Sequence, residues 1–214
     1  MSKDRFSRLK EFYMCRQWKF SILGAAFLVA MLFTLNYSRQ YIQQNAMDDA
    51  VHSLERLLNN ADMRLHQTEA ATDSLLPLIE QHLDNPDIMF DYSRKLLEDH
   101  PDMKGCSIAF EPYFFKQKGQ YFSAYSYNNN GTIQTEQEGN DGYQYFYMDW
   151  YLIPHQLDHK YWIEPFEDAS ATGIQVNEVM TSYCQPICDA DGKAVGVLST
   201  EIEIGRAVQQ ECRD

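Results

Sequence analysis

The chain has 214 residues, 44% of them hydrophobic and 14% aromatic, with 18 Lys and Arg against 31 Asp and Glu and a net charge of −13. Such a composition excludes a disordered chain and gives one domain of ordinary size plus an anchor. The charge is unevenly spread: from Gln40 onward 11 basic residues face 29 acidic ones, which excludes nucleic acid or an anionic membrane surface as a partner of that body.

In chain order, residues 1–19 are basic and are expected to lie in the cytoplasm. Residues 20–37, FSILGAAFLVAMLFTLNY, carry no charge and are about long enough to cross a bilayer. Trp18 and Tyr37 flank them as interfacial aromatics do, and the preceding Lys and Arg put Gln40 onward outside the inner membrane, in the periplasm. Asn36-Tyr37-Ser38-Arg39-Gln40 makes a poor signal-cleavage site, so the segment reads as a retained anchor.

Residues 38–84 read as a long helix. Met47, Val51, Leu54, Leu58, Ala61, Leu65, Thr68, Thr72, Leu75 and Ile79 recur at alternating spacings of four and three, a heptad stripe. Pro77 is expected to kink or end it. The stripe covers the helix's own domain or pairs its membrane-proximal half with a second subunit. Residues 85–204 form the domain proper. Asn85, Pro86 and Asp87 open a second helix that His100-Pro101 stops. A strand follows at 106–110. A hairpin of 120–127 and 132–137 turns at Asn128-Asn129-Asn130-Gly131, whose Asn130-Gly131-Thr132 sequon reads as turn chemistry.

Residues 143–162 concentrate Tyr143, Tyr145, Phe146, Tyr147, Trp150, Tyr151, Tyr161 and Trp162, rings that suit a pocket wall as well as a core. A last hairpin, 176–187 and 194–204, turns at Asp189-Ala190-Asp191-Gly192. Asp189-x-Asp191-Gly192 starts like a calcium loop, but Lys193 and Ala194 supply no further ligand, so no metal site is expected. The elements predict an α+β fold: an N-terminal transmembrane helix and long helix, then an antiparallel sheet with flanking helices, placed on one face. Of the cysteines, Cys106, Cys184, Cys188 and Cys212 would be outside the membrane. Cys184 and Cys188 in one extended strand stand about 13 Å apart, too far for a disulfide unless the chain bends at Pro186.

Trp150-Tyr151, then Trp162-x-Glu164-Pro165-Phe166-x-Asp168, Thr181-Ser182-Tyr183-x-x-Pro186-Ile187-x-Asp189-x-x-Gly192 and Gly196-Val197-Leu198-x-x-Glu201-Ile202 resemble, in this order, the Cache domain. That is the PAS-like extracytoplasmic sensor of bacterial chemoreceptors and histidine kinases. The resemblance implies a PAS-like sheet, a small-molecule ligand, and a homodimer through the long helix. In the amino-acid-binding members a Tyr, an Arg-x-Trp-Tyr, a second Tyr and a late Asp hold the ligand. Tyr143, Trp150 and Tyr151 match them. Met148 stands in place of the Arg, Phe166 of the second Tyr and Glu201 of the Asp.

A carboxylate ligand would therefore lack its cationic clamp, and burying it unpaired is costly. The expected ligand is neutral or cationic, in a cage of Tyr143, Trp150, Tyr151, Trp162 and Tyr183, with Glu201 and Asp149 as anionic contacts. Alternatively these rings are core and the domain is a membrane-tethered interaction module of the envelope. Nothing makes a case for an enzyme or a cofactor: His155 and His159 lack a nucleophile or a metal-site pattern, Glu164, Glu167 and Asp168 have no fixed separation, and no phosphate loop occurs. Residues 205–214 form a polar tail that cannot span a membrane. The chain is expected to be the input half of a longer receptor or to signal through a partner.

Overall fold

The computed structural model describes residues 3–129, 131–167 and 179–204, with side chains from Leu23 onward and at Trp18. Helix α1, Lys3–Gln81, runs through two units, residues 1–56 and residues 57–214. In the first unit the stripe side chains Met47, Val51 and Leu54 are exposed. Among the described residues no helix is long and apolar enough to cross a membrane. The expected span begins at Phe20, Ser21 and Ile22, whose side chains lie outside those described.

In the second unit the stripe turns inward. Thr68, Ala71, Thr72, Leu75 and Ile79 are buried, whereas Leu58 and Ala61 are exposed. Pro77, expected to kink or end the helix, stands inside α1, which continues past it to Gln81. Ile79, fully buried beyond the proline, and Leu75 before it anchor the last turn in the core, so packing offsets the lost hydrogen bond. Helix α2, Ile88–Asp99, follows with its C-terminus at His100, and Asn85 Oδ1 accepts from Asp87 N at 3.2 Å before its first turn.

The strands are β1 (Met103–Phe110), β2 (Ser123–Asn129), β3 (Thr132–Glu138), β4 (Tyr161–Trp162), β5 (Phe166–Glu167), β6 (Val179–Cys188) and β7 (Ala194–Glu203). They make one antiparallel sheet in the order β3-β2-β1-β7-β6-β4, with β5 also on β6. Both hairpins form where the turn residues place them. Asp189 O accepts from Gly192 N, and Asp189 Oδ1 accepts from Asp191 N and Lys193 N, so this carboxylate is spent on the turn. Residues 176–178 of the last expected strand, and Asn130 of the first turn, lie outside the described residues.

Helices cover both faces of the sheet, a correction to the expected one-sided arrangement. Against α1 and α2 lies the main core, with Ile79, Met89, Leu97, Ile108, Phe110, Phe122 and Leu198 buried. On the other face lies α3, Asp149–Leu157, which the aromatic run did not announce. It packs with Tyr145, Tyr151, Cys184, Val197 and Ala109 in a second, smaller cluster. Cys106 and Cys184 are buried free thiols, Cys188 is a half-buried one, and Cys212 is outside the described residues.

Candidate ligand-binding face

Strand parity decides which side chains share a face, because successive residues point to opposite sides. The register pairs Glu201 with Gly105 and Ser182, Ser199 with Ser107 and Cys184, and Val197 with Ala109 and Pro186. Ser123 pairs with Ala109 and Glu138, and Tyr125 with Ser107 and Glu136. These residues make up the α3 face. Its centre is a floor of small side chains: Gly105, Ser107, Ala109, Ser123, Ser182, Cys184 and Ser199. Around it stand Tyr125, Glu138, Glu201 and the segment that carries Tyr143 and Trp150.

Gly105 is needed there. A Cβ at that position would run into Glu201 Oε2 and lie 3.1 Å from the Tyr125 hydroxyl. Without one, the Glu201 carboxylate lies over β1 and accepts from Tyr125 Oη at 3.2 Å. The Tyr143 ring approaches from the loop closed by its bridge to Asn140, and its Oη accepts from Trp150 Nε1 at 3.2 Å. Trp150 packs tilted against Tyr145 and edge-on to Tyr151. Asp149 is exposed in the first turn of α3.

Tyr145 holds this segment to the sheet. Its hydroxyl donates to Phe110 O at 2.7 Å and accepts from Phe122 N at 3.0 Å, all of it buried. Removing that oxygen leaves a buried amide unsatisfied. Tyr145→Phe is expected to cost about 1–2 kcal/mol in urea unfolding, without loss of the folded state. Tyr151 is buried, stacks on His155, and among the described residues its hydroxyl finds no hydrogen-bond partner.

The face is electrostatically negative and partly dry. Burial, then the charges of Glu201 and Glu136, push the Glu138 carboxyl up to about 7, against an opposing hydrogen bond from Ser123. Burial and the Glu138 charge push Tyr143 up to about 12. Because the folded pKa of Glu138 lies above its ordinary value of 4.5, the folded state binds the extra proton. Stability is then fully present below about 4.5 and falls as pH rises through about 7. Glu138→Gln should flatten that fall, with a gain on the order of 1–2 kcal/mol at pH 8 after allowance for partial exposure, read from chemical denaturation across pH.

Two of the expected cage residues lie on the other side of the sheet. Trp162 Nε1 donates to Glu69 Oε1 at 2.8 Å, and Tyr183 Oη donates to Asp73 Oδ1 at 3.1 Å, both acceptors on α1. Their rings are 5.1 Å apart and face the helix. The indole holds the Glu69 carboxyl below its usual range. The sheet therefore brings together Tyr143, Trp150, Tyr151 and Glu201, leaves Asp149 at the surface, and separates Trp162 and Tyr183 from them. Glu138 and Tyr125, absent from the sequence-based set, join the face. Their positions on β3 and β2 were visible; their shared side with Glu201 needed the register of four strands. Met148 and Phe166 are exposed. A separate groove of about 530 Å³ lies on the α1 side, lined by residues that include Arg64, Thr68, His100 and Met103.

The family model described as "Methyl-accepting chemotaxis protein-like, first PDC sensor domain" matches residues 91–207. The chain belongs to that family. This PDC sensor domain is the class of module that the Cache-like motifs indicate. No curated protein matches it in sequence. Solved structures share its fold. The extracellular domain assigned to a histidine kinase, soHK1S-Z6, is 23% identical with a TM-score of 0.56, over 69% of this chain and 56% of that one. The ligand-binding domain of Mlp24 with asparagine is 14% identical with a TM-score of 0.56, over 80% and 62%. That of the Campylobacter jejuni chemoreceptor Tlp3 with L-valine is 15% identical with a TM-score of 0.53, over 72% and 57%. The chain thus spans little more than half the length of these sensor domains.

Proposed function

We propose that this PDC domain is the extracytoplasmic sensing module of a membrane-bound bacterial receptor, and that its ligand is a small cationic or neutral molecule received on the α3 face of the sheet. The observation that carries the reading is the meeting of two carboxylates, Glu138 and Glu201, with the rings of Tyr143, Trp150 and Tyr125 over a floor of small side chains. Aromatic faces and carboxylates together stabilise an ammonium group. The neighbours Mlp24 and Tlp3 were solved with amino acids. In this chain Met148, exposed and uncharged, stands where the Cache resemblance implies an Arg that clamps a carboxylate, so an α-amino acid would place its anion beside two acids.

Segment 20–37 anchors the chain, the basic residues before it keep the N-terminus in the cytoplasm, and the sensor body lies in the periplasm. The exposed stripe Met47, Val51, Leu54 and Leu58 pairs with the same stripe of a second copy. Cysteines introduced at Leu54 and at Leu58 are expected to crosslink in membranes. Output, whether kinase or methyl-accepting, belongs to other parts of the receptor.

The test of the ligand class is a thermal-shift screen with tetramethylammonium, choline, short diamines and the common amino acids. Stabilisation by the cations that grows with concentration and strengthens as pH rises through about 7, where Glu138 gives up its proton, is the expected result. Stabilisation by amino acids with none by the cations would replace this ligand class. No shift with any compound would favour an interaction module of the envelope.

A further inference from the structure

We infer that Thr72 and Asp73 of α1 are the positioning residues through which occupancy of the ligand face reaches the helix. This rests on the α3 face being the ligand face. The argument is again one of strand parity. On β7, Glu201 and Ser199 point to that face, and Thr200 between them points to α1. On β6, Cys184 points to it, and its neighbours Tyr183 and Gln185 point to α1.

All three back-side groups end on two consecutive helix residues. Thr72 Oγ1, whose proton goes to Thr68 O at 2.7 Å, is hydrogen-bonded to Thr200 Oγ1 at 2.9 Å, with both residues fully buried. Asp73 Oδ1 accepts from Gln185 Nε2 at 2.6 Å and from Tyr183 Oη at 3.1 Å, and Lys160 Nζ reaches Asp73 Oδ2 at 3.1 Å. Below this point Leu75 and Ile79 hold the helix by apolar contact, and one hydrogen bond, from Cys188 N to Glu80 Oε1 at 3.0 Å, ties its last turn to the end of β6. Apolar contacts are non-directional and tolerate small slides, whereas buried hydrogen bonds fix a position and break over a few tenths of an ångström. A shift of β7 or β6 caused by a ligand at Glu201 or Cys184 therefore moves Thr200, Tyr183 and Gln185 together, and the helix follows at Thr72 and Asp73. A ligand biases that position only by preferring one arrangement of the strands.

The experiment uses hydrogen exchange on the full chain in detergent, with Glu201→Gln as the perturbation of the ligand face. Amides of β7 and of α1 residues 68–76 are expected to change their exchange by about tenfold. In the Thr72→Val/Thr200→Val/Gln185→Met background, which removes both hydroxyls of the Thr72–Thr200 pair together and so limits the loss of stability, only the Tyr183 hydroxyl of the three back-side groups still reaches Asp73; the β7 change should persist and the α1 change should fall severalfold. Restoring hydroxyls as Thr72→Ser/Thr200→Ser with Gln185 intact should bring the α1 response back.

An α1 response of equal size in both backgrounds, or no α1 response in the parent chain while β7 responds, overturns the inference. The ligand reading is judged separately. If none of tetramethylammonium, choline and the short diamines gives a thermal shift, that reading fails, while the exchange pattern still decides the coupling. If tetramethylammonium stabilises the parent chain and the α1 response is unaffected by the triple substitution, the ligand face stands and the coupling does not.

Discussion

Truncation of Phe110 to alanine is expected to lower stability by about 3–5 kcal/mol, the largest effect of any single core substitution proposed for this domain. Phe110 is fully buried at the end of β1, between the α1–α2 core and the β1–β7 pairing. Its ring stacks on Phe114 at 5.2 Å and on Phe122 at 6.0 Å, and meets Phe115 edge-on at 4.8 Å. Losing it strips contacts from three aromatic partners at once, and the surrounding strands cannot collapse into the space because Gly196 on β7 already lies against β1. A Cβ on Gly196 would run into Ala109 O and come within 3.0 Å of the Phe110 ring. The measurement is equilibrium unfolding in urea. A midpoint close to that of the parent chain, with an unchanged slope, would mean that this cluster is not a cooperative part of the core.

Glu201→Gln is expected to weaken binding of a quaternary ammonium or diamine probe by about 10–100-fold, the value of one charge-assisted contact in a partly buried site. The substitution keeps the shape of the side chain and its capacity to accept from Tyr125, so the fold should be retained. It also removes one of the charges that raise Glu138, whose carboxyl should then titrate below about 7. Calorimetric titration across pH checks both consequences together. Unchanged affinity, with an unchanged pH midpoint, would place the ligand away from the carboxylates of the α3 face.

The two hairpins were legible because their signals are local. Asn-Gly and Asp-x-x-Gly supply positive φ where the turns need it, and Gly131 and Gly192 adopt 90° and 78°. The second helix was legible at both ends for the same reason, from Asn85 to His100. Helix α3 was not. Its sequence, DWYLIPHQL, is rich in aromatics and holds Pro154 in its interior, against helix propensity. It forms because Tyr151 and Pro154 are buried on the sheet and because Asp158, at φ 50°, closes its C-terminus in the left-handed region. The continuation of α1 past Pro77 has the same kind of cause, burial of Ile79 rather than any local preference.

The candidate site divides along the same line. Tyr143, Trp150, Tyr151 and Glu201 were recognisable as residue types in the order of a Cache sensor, and the Met148 substitution already argued against a carboxylate ligand. Trp162 and Tyr183 looked equivalent to them, since nothing in a linear string records on which side of a sheet an aromatic ring will stand. By itself the sequence determined the order of the elements, the turns, the acidic character of the body and its sensor family, because each depends on neighbours close along the chain or on motif order. Only the tertiary structure decided the two faces of the sheet, the partnership of Glu138 with Glu201, and the hydrogen bonds that tie Thr200, Tyr183 and Gln185 to α1. Those depend on the register between strands and helices as many as 128 residues apart, which is set by packing and not by local propensity.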